Sequence, residues 1–274
     1  MSRTERNLPT VEEIRSFWEE NPVGEGMIPQ RKFPYDYFRT YDALRETWDR
    51  EPPPLVEELH ELDRAAGRKV LDYGCGNGYL LGLYARRGAE VYGLDVTDRA
   101  IELARSRFAL IGLDGTFIRN DGATIPFESG TFDVVCSLGV LHHIPDPAPV
   151  VAELFRVLKP GGRLVVMLYN RDSWRYRVAF RFDLRPGETV EERVRRNDGR
   201  DNPYGRVYSR AEARRLLSAF QDHRFVVAKL NFGDLALWRR PLERALVRLV
   251  PRRAVEALGR RIGWNLYCVA RKPG

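Results

Sequence analysis

The chain has 274 residues, 43% of them hydrophobic, enough to bury one substantial core, and no run of eighteen apolar residues occurs, which excludes a membrane-spanning helix. The opening Met1-Ser-Arg-Thr-Glu-Arg6 lacks the apolar centre of a signal peptide, and Cys75, Cys136 and Cys268 are isolated, so a cytoplasmic protein without structural disulfides, zinc or another metal centre is expected. The formal charge of +7 and a pI near 9.4 invite a nucleic-acid partner, but most of the excess lies in one stretch near the C-terminus.

Near the N-terminus Val11, Ile14, Phe17 and Trp18 recur at helical spacing. An aromatic segment follows, Lys32-Phe-Pro-Tyr-Asp-Tyr-Phe-Arg-Thr-Tyr41, and then a second helical stretch ended by Pro52-Pro-Pro54. Residues 1–60 are therefore expected to form a helical lid and residues 61–274 the main domain. From Lys69 to Leu168 strand and helix signals alternate, the pattern of a parallel sheet with crossover helices.

Within that region Val70-Leu-Asp-Tyr-Gly-Cys-Gly-Asn-Gly-Tyr-Leu-Leu81 reads as a strand, a tight turn and a helix start. Gly74, Gly76 and Gly78 lack Cβ, so the turn can take positive φ and bring backbone N–H groups against a ligand. Asp72 ends the strand, where a carboxylate can accept from a ligand ammonium. A second apolar run, Ala89-Glu-Val-Tyr-Gly-Leu-Asp95, ends in a carboxylate placed to grip ribose hydroxyls. The pair implies a nucleoside ligand.

Next, Phe117-Ile-Arg-Asn-Asp-Gly-Ala-Thr-Ile-Pro-Phe127 reads as a short strand ending at Asp121, a carboxylate able to accept from an adenine amino group, and at Gly122. Gly130 to Asp146 reads as a buried strand leading into a loop that carries His142 and His143. Leu154 to Leu168 reads as a helix, a Pro-Gly-Gly turn and another strand. A polar insertion, about Asn170 to Arg206, lacks sustained strand signal and is expected to add to the lid as a cap. Ser209 is placed to cap a helix running to Phe220, Phe225–Leu230 reads as a strand, and Trp264–Ala270 as the last one. Between these two strands, Arg239 to Arg261 holds eight arginines against Glu243 and Glu256, interleaved with leucines. That amphipathic stretch fits a solvated basic face packed on the sheet. It fits equally a surface for a phosphate-bearing partner, an acidic substrate or a membrane.

The glycine spacing separates two kinds of nucleoside site. Dinucleotide sites use G-x-G-x-x-G to bring a helix N-terminus onto a pyrophosphate, and here the spacing is G-x-G-x-G, which argues against a nicotinamide oxidoreductase. Together with the ordered segments that follow it, the motif resembles the class I S-adenosylmethionine-dependent methyltransferases, in the ubiquinone/menaquinone-biosynthesis-like branch that acts on small molecules. The specific likeness covers about residues 68–170 and extends loosely to Trp18-Glu-Glu-Asn-Pro22 and Asn202-Pro-Tyr-Gly-Arg-Val-Tyr208.

The resemblance implies an α/β Rossmann-like fold with a seven-stranded, mostly parallel sheet of order 3-2-1-4-5-7-6, helices on both faces, and an α-helical cap. It implies S-adenosyl-L-methionine as cofactor, held by Asp72, Gly74, Cys75, Gly76, Gly78, Asp95, Val96, Asp121, Gly122 and Leu138, with the backbone around Ser137 and Gly139 facing the methyl group. The acceptor is expected to be a small, partly apolar metabolite, contacted by Tyr37, Tyr169 and Asn170. Where its proton must be removed, His143 and then His142 are the candidate catalytic bases. Tyr35, Tyr37, Phe38 and Tyr41 either pack the lid or wall the sulfonium. Asn202-Pro-Tyr204 superficially resembles a motif of amino-methyltransferases acting on bases, but that motif follows the fourth strand. Two alternatives share the cofactor site: a fold relative that binds the donor without transferring methyl, and an RNA or protein methyltransferase.

Overall fold

The computed structural model describes residues 8–22, 34–45, 53–198, 202–237 and 240–274. The charged opening, Lys32, Phe33, Pro52 and Arg239, and the side chains of Tyr35, Arg244, Leu246 and Arg252, lie outside the described residues.

Seven strands form one sheet: β1 (Lys69–Tyr73), β2 (Glu90–Asp95), β3 (Thr116–Arg119), β4 (Phe132–Leu138), β5 (Leu158–Tyr169), β6 (Gln221–Ala228) and β7 (Asn265–Arg271). Their order is 3-2-1-4-5-7-6, as the resemblance implies, and β7 alone runs against the direction of the other six strands. Alternate residues divide between two cores. Leu71, Tyr73, Val135, Leu164 and Val166 pack on one face, and Val70, Val134, Cys136 and Val165 on the other. Burial on both faces explains why the central strands read as continuous apolar runs.

The crossover helices are α4 (Tyr79–Ala85), α5 (Asp98–Ile111) and α6 (Ala148–Val157). Before the sheet come α1 (Val11–Glu20), α2 (Pro34–Leu44) and α3 (Pro53–His60). Two expectations change here. Pro52-Pro-Pro54 does not simply end a helix, because Pro53 opens α3; proline is tolerated in a first turn, where its missing N–H has no partner to lose. Leu55 and Leu59 of α3 are fully buried against Val70, Tyr84 and Val134, so α3 packs with the sheet. The 170–206 insertion is helical where regular, with α7 (Trp174–Arg177) and α8 (Val190–Asp198). Ser209 caps α9 (Arg210–Leu216) through a reciprocal pair of hydrogen bonds with Glu212. The basic stretch forms α11 (Arg240–Leu249) and α12 (Arg252–Ile262), after a short α10 (Phe232–Leu235).

Candidate functional site

A cavity of about 240 Å³ lies over the carboxyl ends of β1, β2 and β4, with α1 and α2 as its roof. This is the edge at which open parallel sheets bind ligands. The turn after β1 forms its floor. Gly74 has φ +82°, its N–H donates to the Leu94 carbonyl at 2.7 Å, and a Cβ there would stand 2.2 Å from Val140 Cγ2. Only glycine meets both constraints. Gly76 (φ +50°) has open space where a Cβ would be, as a backbone exposed to a ligand requires. Gly78 does something else: it begins α4 in the left-handed region and is pressed against α5, where a Cβ would lie 3.3 Å from Ala104. It does not line the cavity, whereas its neighbours Asn77 and Tyr79 do.

Two carboxylates face this turn. Asp72 is 4% exposed, its Oδ1 has no hydrogen-bond partner among the described residues, and burial, reinforced by the charge of Asp95, pushes its carboxyl well above the usual range. Such a group is short of a cationic donor. Asp95 is better satisfied: Oδ1 accepts from the Thr97 N–H (3.1 Å) and hydroxyl (2.8 Å), and Oδ2 from the Gly76 N–H (3.1 Å). Burial raises its pKa against these hydrogen bonds. A carboxylate offers about four lone-pair sites, so Asp95 keeps capacity for a ligand hydroxyl. Val96, Cys75, Leu138 and Gly139 also line the cavity. Ser137 does not; it is fully buried beneath.

Asp121 departs from expectation. It is exposed, does not line the cavity, and its Oδ1 accepts from the N–H groups of Ala123 (2.9 Å) and Thr124 (2.8 Å), holding its own turn. Its neighbours Asn120 and Gly122 reach the cavity instead, Gly122 held by a hydrogen bond from the Tyr73 hydroxyl to its carbonyl (2.8 Å).

The two histidines separate. His142 is fully buried, with its ring 3.8 Å from that of Tyr169, and burial next to His143 drives its pKa well below the ordinary value. It does not reach the cavity. His143 does, and its Nδ1 lies 2.9 Å from the Tyr204 carbonyl. A carbonyl can only accept, so Nδ1 carries the hydrogen and the neutral ring keeps its lone pair on Nε2. Burial lowers its pKa, against the charge of Asp198. Tyr169 and Asn170 are not at the cavity. The Tyr169 hydroxyl donates to Asp198 (2.7 Å) inside an aromatic cluster with Tyr176 and Trp264, and Asn170 donates to the Gly263 carbonyl (2.8 Å). Tyr169 thereby ties the cap to the sheet and Asn170 ties the end of β5 to the chain entering β7, so neither makes the substrate contact expected of it.

From the lid, Val11, Ile14 and Trp18 of α1 and Tyr37 and Tyr41 of α2 line the roof. Trp18 meets His143 edge-on, ring centroids 4.9 Å apart. Phe38 packs within the lid core and takes the Arg107 guanidinium on its face. Arg45, unmarked by any motif, adds the cavity's cation, 5.3 Å above the Tyr79 ring. Thr97, Asn77 and Asn120 were likewise missed, although Asp95-Val-Thr97 before a helix is a readable N-cap signal. An unsatisfied buried carboxylate, a cation, a second carboxylate near a glycine turn and apolar walls together fit a nucleoside that bears an amino acid, which is S-adenosylmethionine's chemistry.

Comparison with known proteins agrees. Residues 71–166 match the family model described as a methyltransferase domain. Over 150 residues the chain is 36% identical to the ubiquinone biosynthesis O-methyltransferase of Pseudomonas aeruginosa, covering 51% of this chain and 65% of that one. The chain thus spans just under two thirds of the curated relatives it matches. Among solved structures, magnesium protoporphyrin IX methyltransferase from Synechocystis PCC 6803, with bound SAH, superposes with a TM-score of 0.60 over 96% of this chain and all of that one, at 18% identity. A SAM-dependent methyltransferase from Aquifex aeolicus gives 0.53 over 88% and 99%, also at 18%. At such identities these likenesses speak for the fold. Among the described residues, no helix is long and apolar enough to cross a membrane.

Proposed function

We propose that this chain is a class I S-adenosylmethionine-dependent methyltransferase that transfers a methyl group from S-adenosylmethionine to a hydroxyl of a small, partly apolar metabolite. The observation that carries the reading is the cavity itself, which gathers Asp72, the glycine turn, Asp95 and His143 under one lid. The oxygen acceptor is taken from what the curated relatives are named for, and a cytoplasmic setting is supported by three buried cysteines that form no disulfide among the described residues.

When bound, the cofactor supplies a sulfonium methyl group open to in-line displacement. The chain's residues position and deprotonate. Asp72 would take the ammonium and Arg45 the carboxylate of the amino-acid portion, Asp95 would accept from ribose hydroxyls, and Val96, Gly122 and Leu103 would close on the base. Aligning acceptor oxygen and methyl within about 3–3.5 Å removes much of the entropic barrier. His143, with Nδ1–H held by Tyr204, takes the hydroxyl proton on Nε2 as the oxygen acquires the methyl group, and the imidazolium later returns the proton to water. Trp18 and Tyr37 exclude solvent from this step.

The test is calorimetry with S-adenosylmethionine and S-adenosylhomocysteine, followed by incorporation of labelled methyl into a panel of small phenols and catechols. Saturable binding of both ligands and an oxygen-linked label are expected. Binding of NADH with no heat from either sulfur ligand would overturn the cofactor, and acceptor turnover without label would overturn the transfer.

A further inference from the structure

The basic stretch that the methyl-transfer reading leaves unused occupies a definite place. Ala228, the last residue of β6, pairs with Asn265, the first of β7, and Asn265 also pairs with Tyr169 at the end of β5. The segment between them, residues 229–264, therefore leaves and rejoins the sheet at its carboxyl edge, the same edge over which the cavity lies.

Only one face of this segment is spent on packing. In α12, Val255 is buried and Gly259 sits so close to the chain after β6 that a Cβ would lie 3.3 Å from Leu230. Leu258, three residues on from Val255, is 38% exposed at the margin of that packed face with exposed Arg261 beside it, and Arg253 and Arg260 are exposed on the far side. In α11, Leu242 and Leu249 are 45% and 79% exposed. With exposed Ala245 they fall at i, i+3 and i+7, one stripe of the helix, with exposed Arg248 at its flank.

An exposed leucine stripe on α11, a further leucine at the margin of α12 and the exposed arginines of both helices form a surface with two demands: removal of apolar side chains from water and neutralisation of cations. A nucleic acid meets the second alone. A bilayer carrying anionic headgroups meets both, since an amphipathic basic helix lies in the interface with its leucines at the acyl boundary and its guanidinium groups among phosphates. We propose that α11 and α12 form a docking surface for an anionic phospholipid bilayer. The surface holds the cavity's edge of the sheet toward the membrane, independently of which reaction the cavity performs.

Flotation of the full chain with vesicles tests this. Vesicles of phosphatidylcholine containing about a third phosphatidylglycerol should carry the protein at low salt, with partition at least tenfold above pure phosphatidylcholine and falling as salt rises. R248E/R253E should weaken partition by at least about 25-fold, taking about fivefold per arginine contact. Arg260 is left intact because it also pairs with Glu58 at 3.5 Å. Leu249→Ser, at an exposed site, should weaken partition to neutral and anionic vesicles alike. Both variants should keep the melting curve and donor binding of the parent, because none of these residues lines the cavity. Equal partition to neutral and anionic vesicles would overturn the proposal, as would variants that float like the parent. Retention on duplex RNA without vesicle binding would overturn it in favour of a nucleic-acid surface.

Discussion

Replacing Asp72 by Asn should separate binding from stability in opposite directions. Asp72 ends β1, is 4% exposed, and has an oxygen with no hydrogen-bond partner among the described residues while Asp95 stands nearby as a second negative charge. With a ligand ammonium in place the carboxylate becomes half of a buried charge pair, and truncating one partner of such a pair costs about 2–5 kcal/mol. Donor affinity should therefore fall between about thirty-fold and several-thousand-fold.

Without ligand the balance reverses. The folded protein holds a proton on Asp72 to a higher pH than the unfolded chain does, so its stability is complete below the ordinary aspartate range and declines as pH rises toward the raised pKa. Within that window each pH unit costs up to about 1.4 kcal/mol, and Asn, which cannot ionise, removes the decline. Calorimetric titrations and thermal melts of both proteins from pH 5 to 9, as about one-unit steps, would read the two effects. A variant that bound the donor within threefold of the parent, or whose empty form melted with the parent's pH slope, would refute the argument.

Three further changes test neighbouring groups. Gly74→Ala should abolish donor binding and lower the melting temperature, because its Cβ collides with Val140 Cγ2 at a φ of +82°; adding Val140→Ala should restore part of the stability. Thr97→Val removes the hydroxyl that donates to Asp95 and accepts from the Ala100 N–H, so stability should drop by about 1–2 kcal/mol and donor affinity with it, as melts and calorimetry would report. His143→Ala should cost about 10²- to 10⁴-fold in rate and erase an acidic limb lying below pH 6.5, whereas Trp18→Ala, by rehydrating the ring, should move that limb upward toward the ordinary histidine value; a limb unmoved in both would remove His143 as base.

What the sequence made legible was what local backbone chemistry dictates. Apolar runs broken by Gly74-Cys-Gly76, by Asp95-Val-Thr97 and by the Pro160-Gly-Gly162 turn marked the alternation of strand and helix, while the sheet order came from the family resemblance. Side-chain direction at loop ends was not legible. Asp121 and Asn120 are adjacent, and which of them turns inward depends on a turn closed by the Asp121 carboxylate on Ala123 and Thr124. Tyr169 and Asn170 lie at the end of β5, the right height for the site, but Asp198 of the cap and Gly263 before β7 are their partners and draw them away. Pro53 could be read as a stop or as a first helical residue, and only the burial of Leu55 and Leu59 decides. Arg45 belongs to no motif; its place in the cavity depends on how α2 crosses the sheet edge.

The N-terminal helix gives these scattered groups a common hinge. Thr10 and Glu13 cap α1 reciprocally, which makes it a defined helix despite its position outside the sheet domain. Two of its adjacent residues then reach in different directions. Trp18 packs on His143, and Glu19 accepts from the N–H groups of Asp98 (2.9 Å) and Arg99 (3.0 Å) at the start of α5, immediately after the Asp95-Val-Thr97 turn. A carboxylate at a helix N-terminus satisfies donors that would otherwise face water and meets the positive end of the helix dipole, for about 0.3–1 kcal/mol at an exposed site. The Trp18 contact adds about 0.5–1.5 kcal/mol beyond its burial. Burial of Phe17 adds to both attachments. One helix therefore touches both the start of α5 and His143, so a substitution that displaces α1 is expected to disturb the two places together.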